Sequence, residues 1–151
     1  MELDRYELYI SKQTDLCTII EFISIGPKGQ IKKQVSFEVD DYETFNVSLS
    51  DVISDNGETS FHVVSDNKDT EKVLNTVAYA VMMFTDQYPK FWIRAEGLNP
   101  VRVRLYRMGI NKNWHIIKPH FKIKGLTKRN RYVTYQKDGK YIGFMGRRKI
   151  L

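Results

Sequence analysis

The sequence has one cysteine, four prolines, no long apolar run and almost no negative charge in its second half. A single cysteine, Cys17, allows no internal disulfide, and a reducing cytoplasm is the expected compartment. Cys17 falls in a strand-like run, where a buried, inert thiol is expected rather than a nucleophile. No apolar stretch reaches the roughly 18 residues that a membrane span needs. The start, Met1-Glu2-Leu3-Asp4, is acidic and lacks the apolar core of a signal peptide. No membrane association is expected.

Catalytic signatures are also missing. There is no phosphate-binding loop, no dinucleotide fingerprint and no nucleophile elbow. His, Cys and Asp never occur at metal-ligand spacing. Neither a cofactor nor a metal is expected. No repeat, low-complexity tract or linker divides the chain, so residues 1–151 read as one domain, long enough to bury a real core. The eight Phe, nine Tyr and two Trp argue against disorder.

Charge is present but unevenly spread. Residues 1–90 hold eight Lys/Arg against sixteen Asp/Glu, a net −8. Residues 91–151 hold sixteen Lys/Arg against only Glu96 and Asp138, a net +14, and together these return the overall +6. Such asymmetry points to an anionic partner for the second half, or to pairing between halves or subunits.

The first 65 residues read as consecutive strands: Tyr6–Ile10, Cys17–Ile25, Gln30–Val39, Phe45–Val52 and Ser60–Val64. Gly26-Pro27-Lys28-Gly29 and Asp55-Asn56-Gly57 serve as turns, and Asp40-Asp41 is expected to break the third strand. Val73, Leu74, Val77, Val81 and Phe84 then recur at helical spacing and predict a helix over Asp69–Tyr88. Asp66, Asn67 or Asp69 can cap it, and Pro89 stops it.

Phe91–Glu96 reads as a short strand. Pro100–Met108 fits two patterns. Val101, Leu105 and Met108 share a helical face, while Val101, Val103 and Leu105 would share a strand face. Asn99 as cap followed by Pro100 favours a helix of about ten residues, which Gly109 would end or kink. Asn111–Pro119 is ambiguous between an irregular turn and a short helical piece. Phe121–Leu126, Arg131–Gln136 and Tyr141–Met145 follow as strands, the last two joined at Asp138-Gly139, and the basic tail Arg147-Arg148-Lys149 is expected to fray. The fold class expected is α+β: an antiparallel sheet, made of an N-terminal four- to five-strand meander plus C-terminal strands, packed on one long amphipathic helix and a second shorter one.

Three groups of residues could carry function. Arg102, Arg104 and Arg107 cluster behind Pro100, at a helix end whose dipole disfavours cations. Arginines and free N–H groups there could bind phosphate or carboxylate. Alternatively these arginines pair with Glu96 or strand carboxylates. The second group is the basic C-terminal region, with Lys122, Lys124, Arg129 and Arg131 at its centre and further cations from Lys128 to Lys149. These alternate with Phe121, Tyr132, Tyr135, Tyr141 and Phe144. Lysines can follow a phosphate backbone and exposed aromatics can stack on unpaired bases, although aromatics are also ordinary sheet residues. The third is His115 and His120, which with Tyr106, Arg102 and Arg104 could act as the acid and base of a metal-independent ribonuclease. These histidines, and His62, read more readily as structural or surface residues.

The run Lys72–Ala78, then Phe84, Pro89 and Gly97 through Arg107, resembles a family of small, uncharacterised bacterial proteins classed as a domain of unknown function. The motif is Gly-x-x-Pro-x-Arg-x-Arg-Leu-Tyr, and Ser24–Lys33 is similar to the family's early turn. The family has small hydroxyl residues after the glycine, where this chain has Leu98 and Asn99, which leaves Asn99 to cap. The resemblance implies a single domain, draws attention to Arg102, Arg104 and Tyr106, and supplies no activity. The function expected is a cytoplasmic binding domain whose basic half meets an anionic partner, RNA or DNA. A toxin-like RNA cleaver, and an assembly module meeting an acidic protein or its own copies, are the alternatives.

Overall fold

The computed structural model describes residues 4–41, 43–53, 59–60, 66–96 and 98–149. Its strands are β1 (Leu8–Gln13), β2 (Cys17–Gly26), β3 (Gly29–Asp41), β4 (Thr44–Val52), β5 (Thr59–Ser60), β6 (Trp92–Ala95), β7 (Phe121–Leu126), β8 (Tyr132–Thr134) and β9 (Gly143–Arg148). The helices are α1 (Thr70–Gln87), α2 (Pro100–Lys112) and α3 (Trp114–Ile117). They pack on one face of a single open sheet ordered β1-β2-β3-β4-β6-β9-β7-β8, with β5 attached to β4. The expected α+β class is what the chain adopts. His62, the Asp55-Asn56-Gly57 turn and most of Ser60–Val64 lie outside the described residues.

The N-terminal meander forms because its strands alternate. Ile20, Phe22, Val35, Phe37, Phe45 and Leu49 are buried on the helix side. They meet Val73, Val77, Ala80 and Phe84 of α1, and the Phe84 ring stacks on Phe37 with centroids 4.1 Å apart. The β2–β3 hairpin closes at Gly26 opposite Gly29, which has φ +88°. Gly26 lacks a side chain for a steric reason: a Cβ there would lie 2.0 Å from the Asn67 carbonyl oxygen. Asn67 caps no helix. Its Oδ1 accepts from Lys28 N–H at 2.7 Å, and its Nδ2 donates to Gly29 O at 2.9 Å and Ser24 Oγ at 3.2 Å. Asp69 occupies the N-cap position, yet its carboxylate accepts from Tyr6 OH at 2.6 Å and Ser24 Oγ at 2.5 Å instead.

Several expectations need correction. The sheet is mostly antiparallel, but β4 and β6 are parallel, because α1 carries the chain back across the sheet between them. Asp40 and Asp41 stay within β3 at a register irregularity. Strand β1 begins at Leu8 and runs to Gln13. Helix α2 passes through Gly109 without ending or kinking there, and Gly109 faces Leu74 of α1: a Cβ would sit in ordinary contact, 3.4 Å from Leu74 Cδ2. Asp138-Gly139 is not a hairpin turn between paired strands. Strands β8 and β9 both pair with β7, which lies between them, and the hairpin turn is 127–131, where Asn130 adopts φ +62°. Arg147 and Arg148 do not fray, since β9 is interior to the sheet. Arg148 donates to Thr85 Oγ1, Met82 O and Asp86 from the helix side.

Candidate nucleic-acid interface

Among the described residues no helix covers the other face of the sheet, and there β6, β9, β7 and β8 set out rows of side chains. Lys122 stands directly opposite Arg147, and in the next row Arg94, Met145, Lys124 and Thr134 are neighbours. Trp92 ends β6 beside Arg147. The Arg147 guanidinium lies 4.7 Å from the Trp92 ring centroid and Lys124 Nζ 5.2 Å from it. Like charges facing each other across a ladder are destabilising. Among the described residues no carboxylate pairs with Lys122, Lys124 or Arg147. Arg94 is different, forming ion pairs with Asp40, Asp41 and Glu96. Glu96 also accepts from the Tyr132 hydroxyl, whose pKa is pushed up by burial and by that carboxylate. Arg129 and Arg131 are exposed at the β7–β8 turn, at the edge of this surface.

The expected stacking aromatics are mostly elsewhere. Phe121, Tyr135 and Phe144 are buried on the helix side. Tyr141 packs against Tyr135, and its ring fills the space left by Gly125 and Gly139. Only Tyr132 reaches the bare face. Trp92 is the aromatic that sequence reasoning missed, although Trp92/Arg94 alternating with Ile93/Ala95 in a strand already places it opposite the core.

The arginine cluster does not converge. Asn99 caps α2 as expected, its Oδ1 accepting from Arg102 N–H at 2.9 Å. Arg102 is buried, Arg104 is exposed, and Arg107 donates to Lys137 O at 3.1 Å. Burial pulls the Arg102 pKa down, while Tyr106 and Asp51 oppose that fall. Asp51 itself is buried and accepts from Lys33 Nζ at 2.7 Å. Tyr106 OH accepts from Leu49 N–H at 3.2 Å, in the stretch of β4 edge between β6 and β5, and burial raises its pKa. So Arg102 and Tyr106 tie α2 to a strand carboxylate and a strand edge.

His115 on α3 and His120 before β7 are both exposed. Among the described residues neither imidazole shares a hydrogen bond or ion pair with Tyr106, Arg102 or Arg104. No cluster of three or more His, Cys, Asp or Glu among the described residues is arranged to hold a metal. No described helix is long and apolar enough to cross a membrane.

These features define an α+β domain with helices on one side of an open sheet and Lys122, Lys124 and Arg147 on the other. Residues 2–149 match the model of a Family of unknown function (DUF6934), and the chain belongs to that family. No curated protein and no solved structure matches it.

Proposed function

We propose that this domain binds nucleic acid, RNA or DNA in single-stranded form, on the helix-free face of its sheet, without catalysing a reaction. The observation that carries the proposal is the Lys122–Arg147 pair, two cations held opposite each other beside Trp92 and Lys124. Such a pair costs stability in the free protein and gains it when an anion lies across it. A strand would place its phosphates along Lys122, Lys124 and Arg147, with Arg129 and Arg131 extending the track. Trp92 and Tyr132 offer ring surface to unpaired bases. Recognition of this kind is led by the backbone and depends weakly on sequence. The proposal takes the chain to be bacterial, as the family resemblance implies, and cytoplasmic, in keeping with a single half-buried thiol, Cys17.

Fluorescence anisotropy with labelled single-stranded RNA and DNA across a salt series tests this reading. Binding at low salt should weaken as salt rises, log affinity falling by roughly 0.7 per neutralised phosphate for each unit of log salt. No binding at low salt, or binding that ignores salt, overturns it. Loss of full-length RNA in the same samples, abolished by His120→Ala, would favour the RNA cleaver instead. Concentration-dependent mass that collapses at high salt without nucleic acid would favour self-assembly.

A further inference from the structure

On the helix side of the sheet, away from the cationic strip, lies a cavity of about 150 Å³. All three helices and strands β4, β6, β7 and β9 contribute to its wall, which is apolar almost throughout. Tyr106 and Asn113 are the lining residues with polar side chains, and both are engaged in the protein. The Tyr106 hydroxyl accepts from Leu49 N–H at 3.2 Å, and Asn113 Nδ2 donates to Gly109 O at 3.2 Å. The space exists because small residues stand where α1, α2 and the sheet approach: Ala78, Ala95, Gly109 and Gly146 all line it. Interiors normally close such voids, since each lost contact forfeits dispersion energy. Water gains little here, because a buried water needs about two to four polar partners.

We propose that this cavity is a binding site for a small, uncharged, apolar molecule, of the size of a single aromatic ring or a short branched hydrocarbon. A dry apolar cavity of about 150 Å³ is large enough to admit benzene. A charged or strongly polar ligand would lose its hydration with no partner to replace it. The cavity is open to solvent, and Met82, Ile116 and Ile117 are among its partly exposed lining residues. The site is separate from the cationic strip, and its occupancy does not depend on nucleic-acid binding.

Methyl NMR of the full chain titrated with benzene tests the proposal. The Met82 and Ile117 methyl signals should move saturably, while those of Met83 and Met108, which do not line the cavity, stay in place. Ala78→Leu fills the space from α1 and should weaken benzene binding by about tenfold or more. Gly109→Ala adds one methyl from α2 and should weaken it less. The absence of a saturable shift overturns the proposal, as does an equal shift at Met83 and Met108. Unchanged affinity in Ala78→Leu also overturns it. If Ala78→Leu does not fold, unchanged affinity in Gly109→Ala has the same force.

Discussion

Lys33 Nζ lies 2.7 Å from Asp51 Oδ1, and both side chains are buried on the sheet face that the helices cover. The two residues are registered partners across β3 and β4, in line with Val35–Leu49 and Phe37–Val47. An ion pair thus occupies one rung of an otherwise apolar ladder, and Arg102 enters the same region from α2.

Breaking this pair from one side should be costly. Lys33→Met leaves Asp51 buried without its ammonium partner, and Asp51→Leu leaves the ammonium buried without its carboxylate. Each should destabilise by about 3–5 kcal/mol, because the remaining buried charge loses its registered ion-pair partner. The double variant should cost clearly less than the sum, since it removes both charges. Urea denaturation of the four proteins closes the cycle. Additive losses would show that the two side chains act independently.

The same pair marks where sequence reading stops. Strand-forming runs located Gln30–Val39 and Phe45–Val52, and helical periodicity located α1 and, with Asn99-Pro100, α2. Lys33 has the parity of Val35 and Phe37, but a lysine at such a position reads as solvated until a carboxylate is known to face it. That knowledge requires strand register. Register also explains the misread C-terminal hairpin. Asp138-Gly139 has turn chemistry, yet β8 and β9 both find better partners in β7, and local chemistry cannot report which strand lies between them. The basic character of residues 91–151 was legible in composition. Its division into a buried Arg102, a helix-facing Arg148 and an outward Arg147 depends on the faces that the fold assigns.

Gly26 and Asn67 make a second prediction. A methyl at residue 26 would overlap the Asn67 backbone, 2.0 Å away, and a backbone atom cannot swing aside as a side-chain terminus can. Gly26→Ala should therefore separate the β2–β3 turn from the start of α1 and destabilise by about 1–3 kcal/mol or more. Asn67→Ala should fall in a similar range, since it deletes three hydrogen bonds at a residue that is 1% exposed. Chemical denaturation measures both losses. A neutral Gly26→Ala would mean that the turn and the helix start are not packed together.

Alkaline pH should weaken the fold. Burial raises the pKa of Tyr6, Tyr106, Tyr132 and Tyr135 above 10.0, with the Asp69 carboxylate adding to the effect at Tyr6 and Glu96 at Tyr132. The folded chain keeps these protons at a pH where the unfolded chain releases them. Their contribution is complete below pH 10 and is lost as pH rises through the elevated values. Urea midpoints measured from about pH 9 to about 11 should fall, and Tyr132→Phe should fall less steeply. Tyrosinate absorbance of the folded protein should lag behind that of the urea-unfolded chain. Coincident titration curves would contradict the assignment.

The cationic strip makes the last prediction, and it separates charge from stacking. Lys122→Ala and Arg147→Ala should each lower affinity for single-stranded nucleic acid across all sequences. Each should also reduce the salt slope by about one phosphate's worth. Both should leave the fold intact or slightly more stable, because each relieves the like-charge pairing across β7 and β9. Trp92→Ala should weaken binding by about 1–3 kcal/mol while leaving the salt slope nearly unchanged, since a stacked base releases no counterion. Arg104→Ala, on the far side of the sheet, should behave as the parent protein. Anisotropy titrations at several salt concentrations, paired with thermal melts, read both quantities. If Arg104→Ala alone lowers affinity, the binding surface lies at α2 and not on the bare face of the sheet.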